Sequence, residues 1–312
     1  MSEPIDMKQF IPTVIKSGIL GNTYETEISE LQNAYHVRYW RSVSNWTGPR
    51  VGWRKLEDTI PKTVSADTRT FEVLGLLQGE MSKTYRGPLT FANCRPELIQ
   101  LVLEWFDEQF SLPPSQWHWY IKLNIPPPAN DAVAGEMAEQ LSEYWLGRVR
   151  LSYDRRYPRT VSFITNTSNL IPKNEGTLIL ERRAPIFVQT IQRFVYDMTR
   201  SILMRSDEDI VAYMRGIIAA EGCINFRRSS GHFRVFITAT DHEEREIFRQ
   251  CLHRLGIATN DCKAIKDIVI SRRENILKLH DLGLMTLNQE KHERFLEMIH
   301  AYRSSESQAQ SL

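Results

Sequence analysis

The sequence lacks three features that would assign it to other classes of protein. No apolar run reaches the roughly 18 residues of a membrane-spanning helix. The start, MSEPIDMKQF, has neither the basic flank and apolar core of a secretory signal nor an Arg-rich amphipathic pattern. The four cysteines contain no CxxC pair, which argues against both a disulfide framework and a zinc site. These absences predict a cytoplasmic protein of prokaryotic type, with reduced thiols and no membrane partner.

A large net charge is also missing, because the formal net charge is only +1. Basic residues are nevertheless concentrated in two stretches. Between His36 and Lys55 the chain carries four arginines and a lysine, interleaved with Trp40, Trp46 and Trp53, and no acid; a second stretch, 148–159, holds five arginines and one acid. The planar guanidinium suits bidentate contact with phosphate, so the stretches favour a nucleic-acid partner. Solvated faces with aromatic stems packed beneath them are the alternative.

The order of predicted elements indicates an internal duplication. A chain of 312 residues suits two domains of roughly 100–200 residues each. Hydrophobic periodicity predicts, in the first, a helix at 71–80, two short strands around 86–88, helix 97–110, strand 116–125, helix 132–146, strands 160–165 and 176–181, and helix 185–199. In the second it predicts helix 209–221, a hairpin over 223–239, a helix to 255, short strands within 262–270, and helices 273–282 and 289–303. Both series run from a helix through a hairpin to a helix, strands and helices.

Two helices hold corresponding places in these series, VLGLLQGEM (73–81) and MRGIIAAEG (214–222). Gly75 and Gly79 are four residues apart, and so are Gly216 and Ala220. That spacing puts both small residues on one helix face, where a second helix can approach backbone to backbone. The two helices are therefore predicted to pack against each other through these four residues.

Each of the two helices ends on a carboxylate, Glu80 in the first and Glu221 in the second. An acid at a helix C-terminus is disfavoured by a few tenths to about 1 kcal/mol unless a positive group lies beside it. Two such acids brought together would repel each other, and a shared divalent cation would remove the conflict, since Mg²⁺ prefers carboxylate oxygens. The arrangement predicts a metal site between two pseudo-symmetric halves.

Both stretches resemble the LAGLIDADG motif of homing endonucleases, and the order of elements after each is similar to the αββαββα unit of that family. The resemblance covers roughly residues 70–305 and implies its monomeric, two-repeat, archaeal-like branch. The implied fold is α+β, with two pseudo-symmetric repeats that form a saddle of antiparallel DNA-binding sheets. The implied divisions are an N-terminal extension of uncertain role (1–69), a first repeat (70–205), a second repeat (206–305) and a disordered tail (306–312).

The resemblance also implies an activity, the hydrolysis of phosphodiesters in both strands of a long double-stranded DNA target by an intron-encoded monomer. Glu80 and Glu221 match the last acid of each motif and would hold Mg²⁺, with Ca²⁺ or Mn²⁺ able to replace it in binding. Lys291, in TLNQEKHERFL, matches a segment that supplies a basic residue to the active-site water; a surface lysine is the alternative. Gln78 is predicted either to order a metal-bound water or to be a helix-surface amide.

Residues that alternate along the predicted hairpins are candidates for contacts with base edges, although a solvent-exposed strand face would carry such residues too. In the first half they are Lys83, Tyr85 and Arg86, and in the second Asn225, Arg227, Arg228, His232 and Arg234. The basic stretch near residues 36–55 is predicted either to clamp the DNA backbone or to pack its tryptophans against the first repeat.

Two other functions remain open at this point. A non-cleaving binder, either a maturase that stabilises intron RNA or a domesticated DNA-binding regulator, would keep the same scaffold; the retained carboxylates favour cleavage. An unrelated α+β protein could use small-residue helices for core packing alone, but packing would leave the helix-end carboxylates unexplained.

Overall fold

The protein is described by a computed structural model that covers residues 3–17, 22–44, 51–83, 87–123, 131–151, 161–163, 175–227, 232–260 and 266–309. The chain forms two compact units. The first consists of Met1–Ala66 and Met81–Phe194, and the second of Asp67–Glu80 and Val195–Leu312. The helix that opens the first predicted repeat therefore belongs to the second unit.

The N-terminal region of the first unit is built from antiparallel strands. Its elements are β1 (Ile5–Asp6), β2 (Val14–Ser17), β3 (Asn22–Glu25), β4 (Glu27–Glu30), β5 (Ala34–Ser44), β6 (Val51–Pro61) and β7 (Thr63–Val64). They pair as β1-β7, β2-β3 and β4-β5-β6. Strand β5 alternates in burial, with Tyr35, Val37 and Tyr39 in the core, because successive side chains of a strand point to opposite faces.

The rest of the first unit is a four-stranded sheet with helices. After Met81 come β8 (Leu89–Asn93), α2 (Pro96–Phe110), β9 (His118–Leu123), α3 (Asp131–Leu146), β10 (Val161–Phe163), β11 (Thr177–Arg182) and α4 (Pro185–Ser201), the last of which continues into the second unit. The strand order is β10-β9-β11-β8, antiparallel except for β10 with β9. Met81 makes an isolated bridge to Phe91 of β8. Helix α2 begins with a proline at its first turn, where the missing N–H costs nothing.

The second unit contains two packed helices, α1 (Thr68–Glu80) and α5 (Asp207–Glu221), and a second sheet. After α5 come β12 (Gly222–Arg227), β13 (His232–Thr238), α6 (His242–Arg254), β14 (Asp267–Ile270), α7 (Arg273–Asp281) and α8 (Gln289–Ala309). The sheet order is β12-β13-β14, and Asn260 bridges to Val269 on the outer side of β14. Side-chain caps start several helices, among them Asp67 on α1, Ser206 on α5, Asp241 on α6 and Asn288 on α8.

The two sheets share one topology. Reading across each sheet gives the Met81 bridge, β8, β11 and β9 in the first, and β12, β13, β14 and the Asn260 bridge in the second. If the elements of each of these two series are numbered in the order in which they occur along the chain, their spatial order in both sheets is first, second, fourth, third. The predicted α+β class and the αββαββα repeat are confirmed, with α3 and β10 inserted in the first copy between its third and fourth strands. The predicted saddle concerns the placement of one sheet against the other and stays a prediction.

Helix α8 is longer than predicted, because it continues to Ala309 rather than ending near residue 303. The helix thus includes residues 306–309 of the predicted tail, 306–312, while 310–312 lie outside the described residues. The extension contains Glu, Gln and Ala, which favour helix, and neither Gly nor Pro to stop it. None of the helices in the described parts of the chain combines the length and apolar composition of a membrane span.

Candidate functional site

The centre of the candidate site is the contact between α1 and α5, which is reciprocal. A Cβ added to Gly75 would lie 2.2 Å from the carbonyl oxygen of Tyr213, and one added to Gly216 would lie 2.1 Å from that of Glu72. Both pairs of matching positions are separated by 141 residues (216 − 75 and 213 − 72). The helices therefore touch backbone to backbone about a local pseudo-twofold axis, which only residues without a side chain permit.

One turn further on, the same helices bring their acidic ends together. A Cβ on Gly79 would lie 2.6 Å from the Cβ of Ala220, and 3.2 Å and 3.5 Å from Cγ and Oε1 of Glu221. Because the contact advances along both helices in step, the helices run parallel, and their C-termini lie at the same end. Glu80 and Glu221 are the last residues of their helices, and both are half-buried. The structure thus brings both carboxylates to one end of the helix pair.

These carboxylates suit a hard divalent cation by the chemistry of their donor atoms. Mg²⁺ is commonly held by one or two carboxylates, with waters and substrate phosphates as its other ligands. Across the described ranges, no cluster of three or more His, Cys, Asp and Glu side chains could hold a metal by itself. A cation at the end of the α1–α5 pair would therefore need further oxygen ligands beyond the two carboxylates.

Lys291 has a role that neither sequence-based interpretation anticipated. Its Nζ donates to the carbonyl oxygens of Ile218, Ala219 and Ala220, at 3.1, 2.7 and 3.1 Å. The ammonium therefore caps the C-terminus of α5, where it offsets the negative end of the helix dipole next to Glu221. These bonds do not fit the predicted surface lysine, while the predicted role of Lys291 in the active-site water network stays a prediction. The cap joins residues more than 70 positions apart, so local sequence carries no signal of it.

Gln78 is buried, with 6% of its surface exposed, so the predicted helix-surface amide is wrong. Its Nε2 donates to Glu244 at 2.8 Å, and its Oε1 accepts from the Thr199 hydroxyl at 3.0 Å. Since the Thr199 hydroxyl has one proton, the Tyr213 hydroxyl donates to Thr199 at 3.0 Å. Burial raises the pKa of Tyr213 well above its usual value, which keeps that proton in place. Gln78 therefore belongs to a buried hydrogen-bond network, and the water-ordering role predicted for it stays a prediction.

An ion pair between the two helices escaped the sequence analysis. Arg215 of α5 pairs through Nη1 with Glu72 of α1, and its Nε donates to the carbonyl oxygen of Gly283 at 3.0 Å. Both side chains are largely buried, at 21% and 14% exposure. The residues that correspond to them across the pseudo-twofold axis are Leu74 and Tyr213, so this pair breaks the symmetry of the contact. The available signal was a charged residue of opposite sign within the middle turns of each helix, away from the charged residues at the helix ends.

The second sheet presents the predicted DNA-binding residues on its open face. Asn225 is opposite Arg234 in the β12–β13 register, and all three of Asn225, Arg227 and Arg234 are exposed. His232 occupies the register position opposite Arg227, and Arg228 lies outside the described residues. The sequence analysis missed residues that line the same surface depression, namely Cys223, Phe236, Thr238, Asp267 and Arg294. Strict alternation along β12 and β13 could have identified those on the strands.

The open face of the first sheet differs from the prediction. Lys83 is exposed just before β8, while Tyr85 and Arg86 lie outside the described residues. The half-buried alternate residues of β9 are His118, Tyr120 and Lys122, opposite a face occupied by Trp119, Ile121 and Leu123. Burial, with a contribution from the nearby Glu181 carboxylate, raises the pKa of Tyr120. These three polar residues were missed, although their period of two was present in HWYIKL.

Comparison with models of known protein families finds a match in the second half of the chain. Residues 208–300 match the family model described as the LAGLIDADG-like domain. The segment from the first turn of α5 into α8 is therefore a LAGLIDADG-like domain. No curated protein matches the chain.

Several solved structures are distantly similar. The N-terminal LAGLIDADG domain of DUF199/WhiA is 10% identical, covering 72% of this chain and 86% of that one, with a TM-score of 0.39. A structure of mesophilic variants of the homing endonuclease I-DmoI is 12% identical to this chain, covering 72% of this chain and 99% of that one, with a TM-score of 0.37. The structure of I-DmoI in complex with DNA and Ca is 13% identical to this chain, covering 73% of this chain and 97% of that one, with a TM-score of 0.39. Likenesses at this level are too low to support an argument about the activity of this chain.

Proposed function

We propose that the protein is a site-specific DNA endonuclease that acts as a monomer, with residues 70–205 and 206–305 as its two repeats. It would hydrolyse one phosphodiester in each strand of a long double-stranded target. One observation carries the proposal: the reciprocal contact of α1 and α5 puts Glu80 and Glu221, 141 residues apart, at the same end of a parallel helix pair.

Glu80 and Glu221 would hold Mg²⁺, which Ca²⁺ or Mn²⁺ could replace in binding, between the protein and the DNA phosphates. A bound divalent cation would polarise a phosphoryl oxygen and lower the pKa of an attacking water. The two carboxylates would supply the negative charge needed to bind the cation. The glycine contacts between α1 and α5 fix the ends of the two helices relative to each other, so both carboxylates lie on a rigid pair of helices. The Lys291 cap steadies the α5 end at Ile218–Ala220, immediately before Glu221.

The open faces of the sheets would supply the readout of DNA sequence. Asn225, Arg227 and Arg234 are exposed on neighbouring strands, and arginine and asparagine can make paired hydrogen bonds to guanine and adenine edges in the major groove. Lys83, with Tyr85 and Arg86, would serve the first half. We add His118, Tyr120 and Lys122 of β9 to the first-half candidates because they alternate toward one face.

Cleavage of a DNA library by the full chain tests the proposal. With Mg²⁺ we expect cutting at one long site, and with Ca²⁺ binding without cutting. The variants Glu80→Gln and Glu221→Gln should lose cutting while they retain binding. Glu208→Gln is the matched control, since Glu208 is an exposed carboxylate in the first turn of α5, at the opposite end from Glu221. Cutting that survives in either motif variant would contradict the assignment of the metal ligands.

A non-cleaving binder is the second candidate, and one observation favours it. The Lys291 ammonium donates to three carbonyl oxygens at the end of α5, so the basic group implied for the active site takes part in a helix cap here. Tight DNA binding with no cutting under any metal would establish this function. Intron RNA would then be the next ligand to measure, as expected for a maturase.

A further inference from the structure

Among the described residues, no third strand pairs with the far end of the long N-terminal hairpin. Strand β4 pairs only with residues 35–38 of β5, whereas β5 and β6 stay paired from Ala34–Pro61 to Ser44–Val51. We call residues 39–44 and 51–56 the distal ribbon. A two-stranded ribbon of this kind fits the major groove of B-form DNA, or lies along its backbone.

Two arginines are directly opposite each other on the distal ribbon. The β5–β6 register pairs Arg41 with Arg54, so both side chains share the face of Tyr39 and Leu56. Tyr39 is fully buried, but one step further along Arg54 is exposed and Arg41 half-exposed. The core beneath this face therefore ends at Tyr39, and the arginines extend beyond it.

The arginine pair stands apart from the other charges of the hairpin. On the opposite face Lys55 pairs with Glu57, and Arg38 with Glu27, each at 2.6 Å. Within the described part of the chain neither Arg41 nor Arg54 forms a salt bridge. Like charges directly opposite each other destabilise a sheet, so the pair has no stabilising role in the fold that accounts for it. The alternative in which tryptophans pack inward fails for Trp40, which is 48% exposed.

From these observations we propose that the distal ribbon binds the phosphate backbone of duplex DNA through Arg41 and Arg54. The chemistry fits because guanidinium groups form charge-assisted pairs with phosphate oxygens. A duplex suits the shape of the site, since the arginines project from a ribbon and not into a pocket that would enclose a small anion. This inference rests on the proposed function and adds a second DNA contact outside the residues predicted from the two repeats.

The salt dependence of binding by the full chain tests the inference. Removing one phosphate neutralisation lowers the slope of log affinity against log salt by about 0.9, so Arg41→Gln with Arg54→Gln should reduce the slope by about 2. Affinity for a mixed-sequence duplex at about 0.1 M salt should fall about tenfold. The Lys-for-Arg double variant should restore most of the slope, because it keeps both charges.

A matched control lies on the same hairpin. Arg38→Gln with Lys55→Gln removes the same net charge but from residues already paired with acids. This variant should leave the slope unchanged. Equal slopes for the two double variants would overturn the proposal, and so would an effect seen on single-stranded RNA but absent on duplex DNA. Circular dichroism should show both variants folded.

The outcomes separate this inference from the proposed function. Neither double variant touches Glu80 or Glu221, so the control variant should cut DNA as the wild-type chain does, and any loss of cutting in the arginine variant should follow its loss of DNA affinity. If the wild-type chain binds and cuts DNA while the arginine variant keeps the wild-type slope, only the distal-ribbon inference fails. If the wild-type chain binds no duplex at any salt concentration, both fail.

Discussion

Helices α1 and α5 are alike in the residues of their mutual contact and differ in the side chains that bind around that contact. Their contact repeats with an offset of 141 residues, from Gly75 and Gly216 to Gly79 and Ala220. Their surroundings do not repeat. Lys291 caps the end of α5, whereas Gln78 of α1 enters a buried network with Glu244 and Thr199.

The difference separates two kinds of constraint on a duplicated fold. At the contact, backbone atoms would be little more than 2 Å from an added Cβ, so substitution on either helix is excluded by steric overlap. Around the contact, any side chain that satisfies a helix end or a buried amide suffices. Symmetry therefore persists where the backbone itself is in contact, and it disappears where side chains provide alternatives.

The largest effect tests whether the contact is symmetric. Gly75→Ala and Gly216→Ala should each lower the free energy of unfolding of the second unit by about 3 kcal/mol or more, because the new Cβ meets a carbonyl oxygen in both cases. Urea unfolding of the full chain would measure both changes. Gly135→Ala is the control, since a Cβ on Gly135 of α3 meets nothing within 4 Å and alanine favours helix. If the losses in free energy of unfolding caused by Gly75→Ala and Gly216→Ala differ by more than about 1 kcal/mol, the contact is not symmetric.

A smaller effect concerns the ion pair that breaks the symmetry. Arg215→Met should cost about 2 kcal/mol, because it leaves the largely buried Glu72 carboxylate without its partner. A double-mutant cycle with Glu72→Gln should give a coupling of about 1–2 kcal/mol. The pair Arg200–Glu243 is the control, as both side chains are more than one-third exposed and its coupling should stay below about 1 kcal/mol. Equal couplings would mean that burial of the first pair has no energetic consequence.

The next effect concerns the Lys291 cap at the end of α5. Lys291→Gln should lower the free energy of unfolding by about 1–2 kcal/mol, because three carbonyl oxygens at the helix end lose a charged donor. Arg294→Gln, on an exposed position of the same helix, removes the same charge and should change stability by less than about 0.5 kcal/mol. If Lys291→Gln proves as mild as the control, the capping role is wrong.

Sequence reasoning succeeded where local pattern decides the structure. The two motif stretches and the hairpin over 223–239 both depend on neighbours along the chain. It did not identify the hydrogen-bond partners of Lys291 and Gln78, because those partners are 71 to 166 positions away and depend on tertiary packing. It also missed Tyr120 and its neighbours, since β9 was identified as a strand without assigning which alternate residues face outward. Glu80 and Glu221 could be identified from the sequence because each is the last residue of its own helix.

The smallest effect distinguishes the open face of the second sheet from its packed interior. Cys223 of β12 is exposed on the open face, two residues after Glu221, whereas Cys251 of α6 is fully buried. Burial raises the pKa of Cys251 to about 12, so at pH 8 only on the order of one thiol in ten thousand is the reactive thiolate. Alkylation followed by mass spectrometry should label Cys223 quickly, and Cys251 only after unfolding.

Bound DNA should change only the first of these rates. If the open face of β12 and β13 contacts DNA, saturating duplex slows the labelling of Cys223 several-fold, while Cys251 remains unlabelled with or without it. The buried thiol also predicts a pH effect. Its folded-state pKa exceeds the reference value of 9.0, so its contribution to stability is present below about pH 9 and is lost as pH rises toward 12. Labelling of Cys223 that DNA leaves unchanged, in a chain shown to bind that DNA, would mean that the ligand lies on another surface and that Asn225, Arg227 and Arg234 do not read it.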